Sequence, residues 1–453
     1  MASTPSSPEA GLRHQLSAGE MTMVAVGGSI GTGLLLGSAP AIELAGPAVI
    51  LSFLLAGFIN WTVAMALGEL ACAHPAAGSF GVYGDLYLNR WAGFLSRTGY
   101  WAGIAFSIGG EITASAIYMA YWFPQVPRIV WIALFSALLL LVNFRSVHSY
   151  GRFEFWFAMI KVVTIAAFVV LGATLLLDGR AMPQYTAQGG FFPRGTFAPL
   201  LAMTFAIYAF AGIEFVAVTS GESRSREEIA KAVRNTLVLL TVIYMGAITV
   251  LVGIMPWNRA GASESPFVTV FRSVNIPAAG HLMNFVVLTA ALSGANAALY
   301  VSSRMLFSLA RGGWAPSALG KLNSQGSPSR ALLVSSYGIV AAFVLDKWAP
   351  RGAFEFMLRA AFFGMITSWI VSLAAHIVFR SRLTPAQAAA LPMRSPFKGW
   401  GSVIGFIVVC AIVLRGWYDS RVNLISGLVL LLVLTILYFI LRPRKNQSDT
   451  QVV

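Results

Sequence analysis

Charge is scarce in this chain of 453 residues. Only 11% are Asp, Glu, Lys or Arg, against roughly a quarter in ordinary soluble domains. With 57% apolar residues and a mean hydropathy of +0.74, that scarcity argues against a soluble enzyme and for a membrane protein. Acidic residues are few, 17 against 31 basic ones, which leaves a net charge of +14. The basic residues fall in short connections between apolar runs, so the excess reads as orientation in a bilayer and not as a nucleic-acid surface. Cysteine is almost absent. Cys72 and Cys410 have neither the number nor the spacing for a disulfide framework or a metal site, and both read as packing residues. The five histidines, His14, His74, His148, His281 and His376, lie far apart and mostly at the ends of apolar runs. They read as structural, and no His-Glu-x-x-His or nucleophile-base cluster points to an enzyme.

What the sequence does contain is long apolar runs. A helix needs about 20 apolar residues to cross the hydrocarbon, fewer if it is buried inside a bundle. Twelve runs fit, at 21–43, 47–73, 94–122, 129–143, 153–177, 197–220, 234–256, 280–309, 331–346, 353–379, 400–416 and 422–441. The polar stretch before them, rich in Ser and Pro, reads as a tail, and the first run continues too far for a cleavable signal. If the N-terminus is cytoplasmic, 20 of the basic residues fall on the cytoplasmic side and 9 outside, with Lys161 and Arg359 inside spans. That asymmetry predicts an even count with both termini cytoplasmic.

Two spans carry interruptions. From Val26 to Gly33 the first reads VGGSIGTG, and each glycine in a helix interior costs roughly 1 kcal/mol against Ala. Small-residue packing of the Gly-xxx-Gly kind, satisfied by Gly27 and Gly31, is one explanation. An unwound segment that lets a ligand approach the backbone is the other. The sixth span has a counterpart, YAFAGIE from Tyr208 to Glu214. Interruptions five helices apart are what an inverted repeat produces, and discontinuous helices offer N–H groups to anions and freed carbonyls to cations. A free amino acid carries both charges. Its carboxylate would rest on the amides of Thr32 and Gly33, and its ammonium on carbonyls near Ser29, Tyr208 and Ala211.

Ionisable residues inside spans cost about 2.5–3.5 kcal/mol on insertion scales and need a partner and a task. Lys161 lies eight residues after Phe153, roughly 12 Å into its span at 1.5 Å per residue. It either snorkels back to the interface or faces the bundle, where its protonation responds to water and couples a proton. Glu111 and Glu214 are the carboxylates deepest in their spans and suit proton carriage, with a structural role equally open for Glu111. Glu69, in Leu-Gly-Glu-Leu near the cytoplasmic end of the second span, reads as a gate or a helix-end contact. Arg359 lies near an outer end, within reach of the interface by snorkelling, and is assigned no function.

Together these stretches resemble a known family over nearly the whole length. GGSIGTG (Gly27 to Gly33), LGEL (Leu67 to Leu70), EFWFAMIK (Glu154 to Lys161), FAGIE (Phe210 to Glu214), MPW and SPFV (Met255 to Val268), and LTAALSGANAALYVSSRMLF (Leu288 to Phe307) are similar to those of bacterial amino acid permeases of the amino acid-polyamine-organocation superfamily. The likeness is strongest to the aromatic and phenylalanine branch. It implies an all-α fold of twelve spans, LeuT-like, with inverted repeats at 21–177 and 197–379, two additional helices at 400–441, and cytoplasmic tails at 1–20 and 442–453. It implies recognition of the substrate's charged groups at Ser29, Ile30, Gly31, Thr32 and Gly33 and at Tyr208, Phe210, Ala211 and Gly212. It places the Lys161 ammonium where relatives hold a sodium ion, near Gly27 and Ser293, so that protons and not sodium drive transport. One motif departs. After the sixth span the family shows Asn-Pro and Ile-Pro-Lys, whereas this chain reads GESRSREEIAKA from Gly221 to Ala232. Glu222 still matches and joins Glu69 as an expected gate residue, although the gate geometry is left open by the missing prolines.

The resulting expectation is a proton-coupled importer of neutral amino acids, with aromatic ones among the candidates, in a bacterial-type inner membrane. No cofactor, metal, nucleic acid or obligatory protein partner is expected besides the free amino acid, the proton and membrane lipids. An amino acid or amine exchanger is the alternative. A sensor is a further one, which the short tails make less apt.

Overall fold

A computed structural model gives the fold and describes residues 16–76, 79–145, 150–179, 183–260, 264–273, 278–323, 327–350, 352–419 and 421–441. Outside them lie the tails up to residue 15 and from 442, and with these Arg13, His14, His148, Arg180, Arg351, Arg442, Arg444 and Lys445. The described residues are helical, with one isolated extended pairing between Leu16 and Ser223.

Helix occupies each of the twelve expected segments. The first holds α1 (Ala18–Ser29), α2 (Thr32–Leu35) and α3 (Ser38–Ala45); the second holds α4 (Val49–Ala73), and α5 (Ser79–Tyr87) follows in the connection. Then come α6 (Arg90–Ala120), α7 (Arg128–Arg145) and α8 (Tyr150–Leu177). The sixth segment is again divided, into α9 (Ala198–Leu201), α10 (Met203–Ala209) and α11 (Phe215–Thr219). After α12 (Arg226–Ile254) and the connecting α13 (Pro266–Ser273) come α14 (Ala279–Arg311), α15 (Ser329–Ser335) and α16 (Tyr337–Trp348). The chain closes with α17 (Ala353–Arg382), the short α18 (Pro385–Ala390), α19 (Trp400–Asp419) and α20 (Arg421–Leu441). Among the described residues, seven helical stretches are long and apolar enough to cross a membrane, and three shorter apolar helices accompany them.

Local sequence explains the ends that differ from expectation. α1 begins at Ala18 and not at 21 because Ser17 and Glu20 form a capping box. The Ser17 backbone N–H and hydroxyl donate to the Glu20 carboxylate at 2.8 and 2.7 Å, which holds its carboxyl below the usual range. α6 begins at Arg90, where Asn89 accepts from the Ala92 amide at 2.9 Å. Arg97, near the start of the expected span, is buried in α6 and pairs with Asp85 of α5.

α6 stands at the centre and packs most extensively against α17 and α14. The close approach to α17 depends on glycine, since a Cβ at Gly103 would fall 2.8 Å from the Gly364 Cα. On α8, Trp156, Val163 and Val170 form an exposed stripe, while Ala158, Lys161, Ile165 and Phe168 form a buried one. Lys161 is 1% exposed. Its side chain faces the bundle and does not snorkel.

Candidate functional site

Both interruptions are present, and they abut. α1 stops at Ser29 and α2 restarts at Thr32, with Ile30 and Gly31 outside helical geometry. α10 stops at Ala209 and α11 begins at Phe215. Within the second break Gly212 has φ +107°, and a Cβ there would meet the Ser29 nitrogen at 2.7 Å. Only glycine permits both the conformation and the contact.

A broken helix leaves backbone groups without their intrahelical partners. Here side chains take several of them. The Gly27 carbonyl accepts from Lys161 Nζ at 2.7 Å, and the Ser29 carbonyl accepts from the Tyr244 hydroxyl at 2.6 Å. The Thr32 amide donates to both Glu111 carboxylate oxygens, at 3.3 and 3.4 Å. In the second break the Gly212 amide donates to Glu214 Oε2 at 3.1 Å, and the Tyr100 hydroxyl donates to Oε1 at 2.8 Å. The Tyr208 carbonyl accepts from the Ala211 amide at 2.9 Å. Three groups expected to meet a ligand, the Thr32 amide and the Ser29 and Tyr208 carbonyls, are thus engaged within the protein.

Between the breaks lies a cavity whose empty space, its open mouth included, comes to about 520 Å³. Its walls bring together Ser29, Gly31, Gly33, Tyr208, Ala211 and Gly212 with the two carboxylates Glu111 and Glu214. The rest of the expected set lies off the wall. Ile30 is buried, and Phe210 is turned onto Phe53 and Tyr244, with ring centroids 6.3 and 4.7 Å away. Ser293 is buried on α14 beside Gly294, which does line the cavity. Among the described residues the Ser29 hydroxyl, 3% exposed, finds no hydrogen-bond partner.

Sequence reading missed Tyr100, Ser107 and Tyr244. Tyr100 and Ser107 share the cavity wall with Glu111, and the Tyr208 hydroxyl donates to Ser107 at 3.0 Å. Their signal was present, because steps of seven and four residues place Tyr100, Ser107 and Glu111 on one face of α6. Tyr244 had none, since a single tyrosine in an apolar helix reads as packing.

The two expected gate residues lie elsewhere. Glu69 is fully buried at the ends of α4 and α17, with Oε2 2.7 Å from His376 Nε2 and Oε1 3.3 Å from Arg380. The Ser395 amide donates to it at 3.3 Å, and Ser402 bonds the other ring nitrogen of His376 at 2.8 Å. His376, expected to be structural and near a span end, is fully buried and part of a polar knot. Glu222 offers its backbone carbonyl to the Leu16 amide at 2.9 Å. Beside it, the Arg224 amide donates to the Leu16 carbonyl at 3.1 Å, and the Ala18 amide to Glu228 at 2.6 Å. Without the family's prolines, this turn is pinned to the start of α1. Arg359 lies over the Phe205 ring, 5.0 Å from its centroid, and near Glu355.

The chain is also similar to known proteins. Residues 20–445 match the family model described as amino acid permease. The chain is 36% identical over 440 residues to the uncharacterized amino acid permease YtnA of Bacillus subtilis (strain 168), covering 94% of this chain and 95% of that one. It is 34% identical over 447 residues to the gamma-aminobutyric acid permease of the same organism, covering 96% and 95%. To the aromatic amino acid transport protein AroP of Escherichia coli (strain K12) it is 36% identical over 375 residues, 82% of each chain. This multi-pass, all-helical membrane protein belongs to the amino acid permease family.

Proposed function

We propose that the chain is a proton-coupled importer of neutral amino acids, aromatic ones included, working by alternating access. The twelve helical segments are its membrane spans, in two inverted five-helix repeats followed by two additional helices, with both termini cytoplasmic. The observation that carries the reading is the Lys161 ammonium, buried on α8 and 2.7 Å from the Gly27 carbonyl just before the first break.

A cation held there braces the end of α1 in the way a bound metal ion braces other discontinuous helices. A buried amine keeps its proton only while its surroundings stabilise the charge. Protonated from outside, Lys161 holds the break in its binding geometry. When the cavity opens inward, water takes the proton and the brace loosens. The substrate ammonium meets the carbonyl-rich rim around Ser29 and Ala211, and its carboxylate meets the amides at Gly31 to Gly33. Tyr208 and the apolar wall receive the side chain. Gamma-aminobutyric acid and aromatic amino acids, named for two of the relatives, share an ammonium and a carboxylate and little else. That common denominator supports recognition through the backbone at the breaks.

The test is uptake of labelled L-phenylalanine into reconstituted vesicles that hold no internal amino acid. An inside-alkaline pH gradient is expected to drive accumulation, and Lys161→Ala to abolish it. Full accumulation by Lys161→Ala overturns the coupling role. Uptake that appears only when the vesicles are preloaded with amino acid identifies an exchanger instead.

A further inference from the structure

The first break already holds a carboxylate, and it belongs to the protein. Glu111 is 5% exposed, and both of its oxygens face the Thr32 amide. Two glycines make the space it fills. A Cβ at Gly31 would lie 2.7 Å from Glu111 Oε1, and one at Gly294 would lie 3.0 Å from its Cδ. On the same cavity wall stands the buried Ser29 hydroxyl, without a hydrogen-bond partner among the described residues. A space cut closely to one carboxylate thus lies beside an unmatched hydroxyl on a cavity wall.

Resting on the amino acid transport reading above, we propose that Glu111 occupies the seat of the substrate's own carboxylate. An amino acid then binds as a proton neutralises Glu111 and frees the Thr32 amide. Two carboxylates cannot share one amide in a buried cavity, because like charges so close, with little water between them, disfavour each other. A proton on Glu111 removes one of the two negative charges without moving the helices.

The groups around Glu111 allow the exchange. Lys161 of α8 faces it as the counter-charge, and Tyr208 of α10, Tyr244 of α12 and Tyr118 of its own helix feel its field. Glu214, across the cavity, acts on the same Tyr208. From the first break and α14 the nearest neighbours are Gly31, Thr32 and Gly294, none of which titrates in this range. Lys161 is anchored on Gly27, so it can stay charged while Glu111 changes state. An amine that lacks a carboxylate makes no claim on the seat and binds with Glu111 in place.

The test is equilibrium binding of L-phenylalanine and of phenethylamine, its decarboxylated analogue, to the purified full-length protein across a pH series. For wild type, phenylalanine affinity is expected to strengthen more steeply than that of phenethylamine as pH falls, the difference approaching about tenfold per pH unit for one linked proton, since Lys161 acts on both ligands alike. In Glu111→Gln the phenylalanine slope falls to that of phenethylamine, leaving only the dependence that Lys161 gives both ligands. In Glu111→Asp, which keeps the charge but draws it back from Thr32, the slope is reduced, and this variant serves if the first does not fold. Phenylalanine binding with the wild-type slope in either variant overturns the exchange and leaves the transport reading intact. Equal slopes for phenylalanine and phenethylamine in wild type overturn it as well. Failure of wild type and both variants to bind phenylalanine at any pH overturns the substrate assignment beneath it.

Discussion

Two regions of this molecule bury charge, and they do so in opposite ways. At the ends of α4 and α17, each Glu69 oxygen faces a partner, and His376 is held at both ring nitrogens. The helices there are continuous, and no cavity-lining residue takes part. At the breaks, Glu111, Glu214 and Lys161 also have partners, but these include backbone groups of interrupted helices, with a cavity and an unmatched hydroxyl alongside. The difference lies in what surrounds the buried charge: at Glu69 a closed side-chain network on intact helices, and at the breaks freed backbone beside a cavity.

The comparison breaks first, and most visibly, at Glu69. Glu69→Ala leaves Arg380 without its ion-pair partner and His376 without its carboxylate, and is expected to cost about 3–5 kcal/mol of stability. Thermal unfolding in detergent checks this, and the molecules that remain folded should transport with unchanged KM. If Glu69→Ala unfolds like wild type but loses transport, the knot belongs to the mechanism and the contrast fails.

Gly212→Ala probes the other region. It forces a side chain onto a left-handed backbone and against Ser29, a strain of about 1–3 kcal/mol. Because that strain lies in the junction of the breaks, it should appear as weaker substrate binding as well as lower stability. A stability loss with binding unchanged would make the junction mere packing.

The smallest effect sharpens the contrast. Ser29→Ala removes a hydroxyl with no partner, so stability should hold or rise slightly, while affinity for the amino acid falls about fivefold, the equivalent of ~1 kcal/mol for one hydrogen bond. Isothermal titration of the two proteins at one pH decides it.

Much of the site was legible before any coordinates. The glycines of the first span and the Gly-Ile-Glu of the sixth located the interruptions, because glycine and charge inside an apolar run are costly unless they serve something. Eight residues of helix placed Lys161 well inside its span, and its burial in the bundle decided against snorkelling. The engagement of the Thr32 amide by Glu111 was not legible. It depends on the rotation of α6 against α2 and on space left by Gly294 of α14, which are contacts between residues 79 and more positions apart. Phe210 shows the same limit. Its place within the break was readable, but the direction of its ring was set by Phe53 and Tyr244 on two other helices.

Sequence alone determined that this chain lives in a bilayer, where its helices run and where two of them fail, since hydropathy and backbone preference act over a few turns. Tertiary structure alone decided which partners each buried charge meets and which of them stand beside a cavity. That depends on what the other helices bring within hydrogen-bonding distance, and on the space their packing leaves beside the pair.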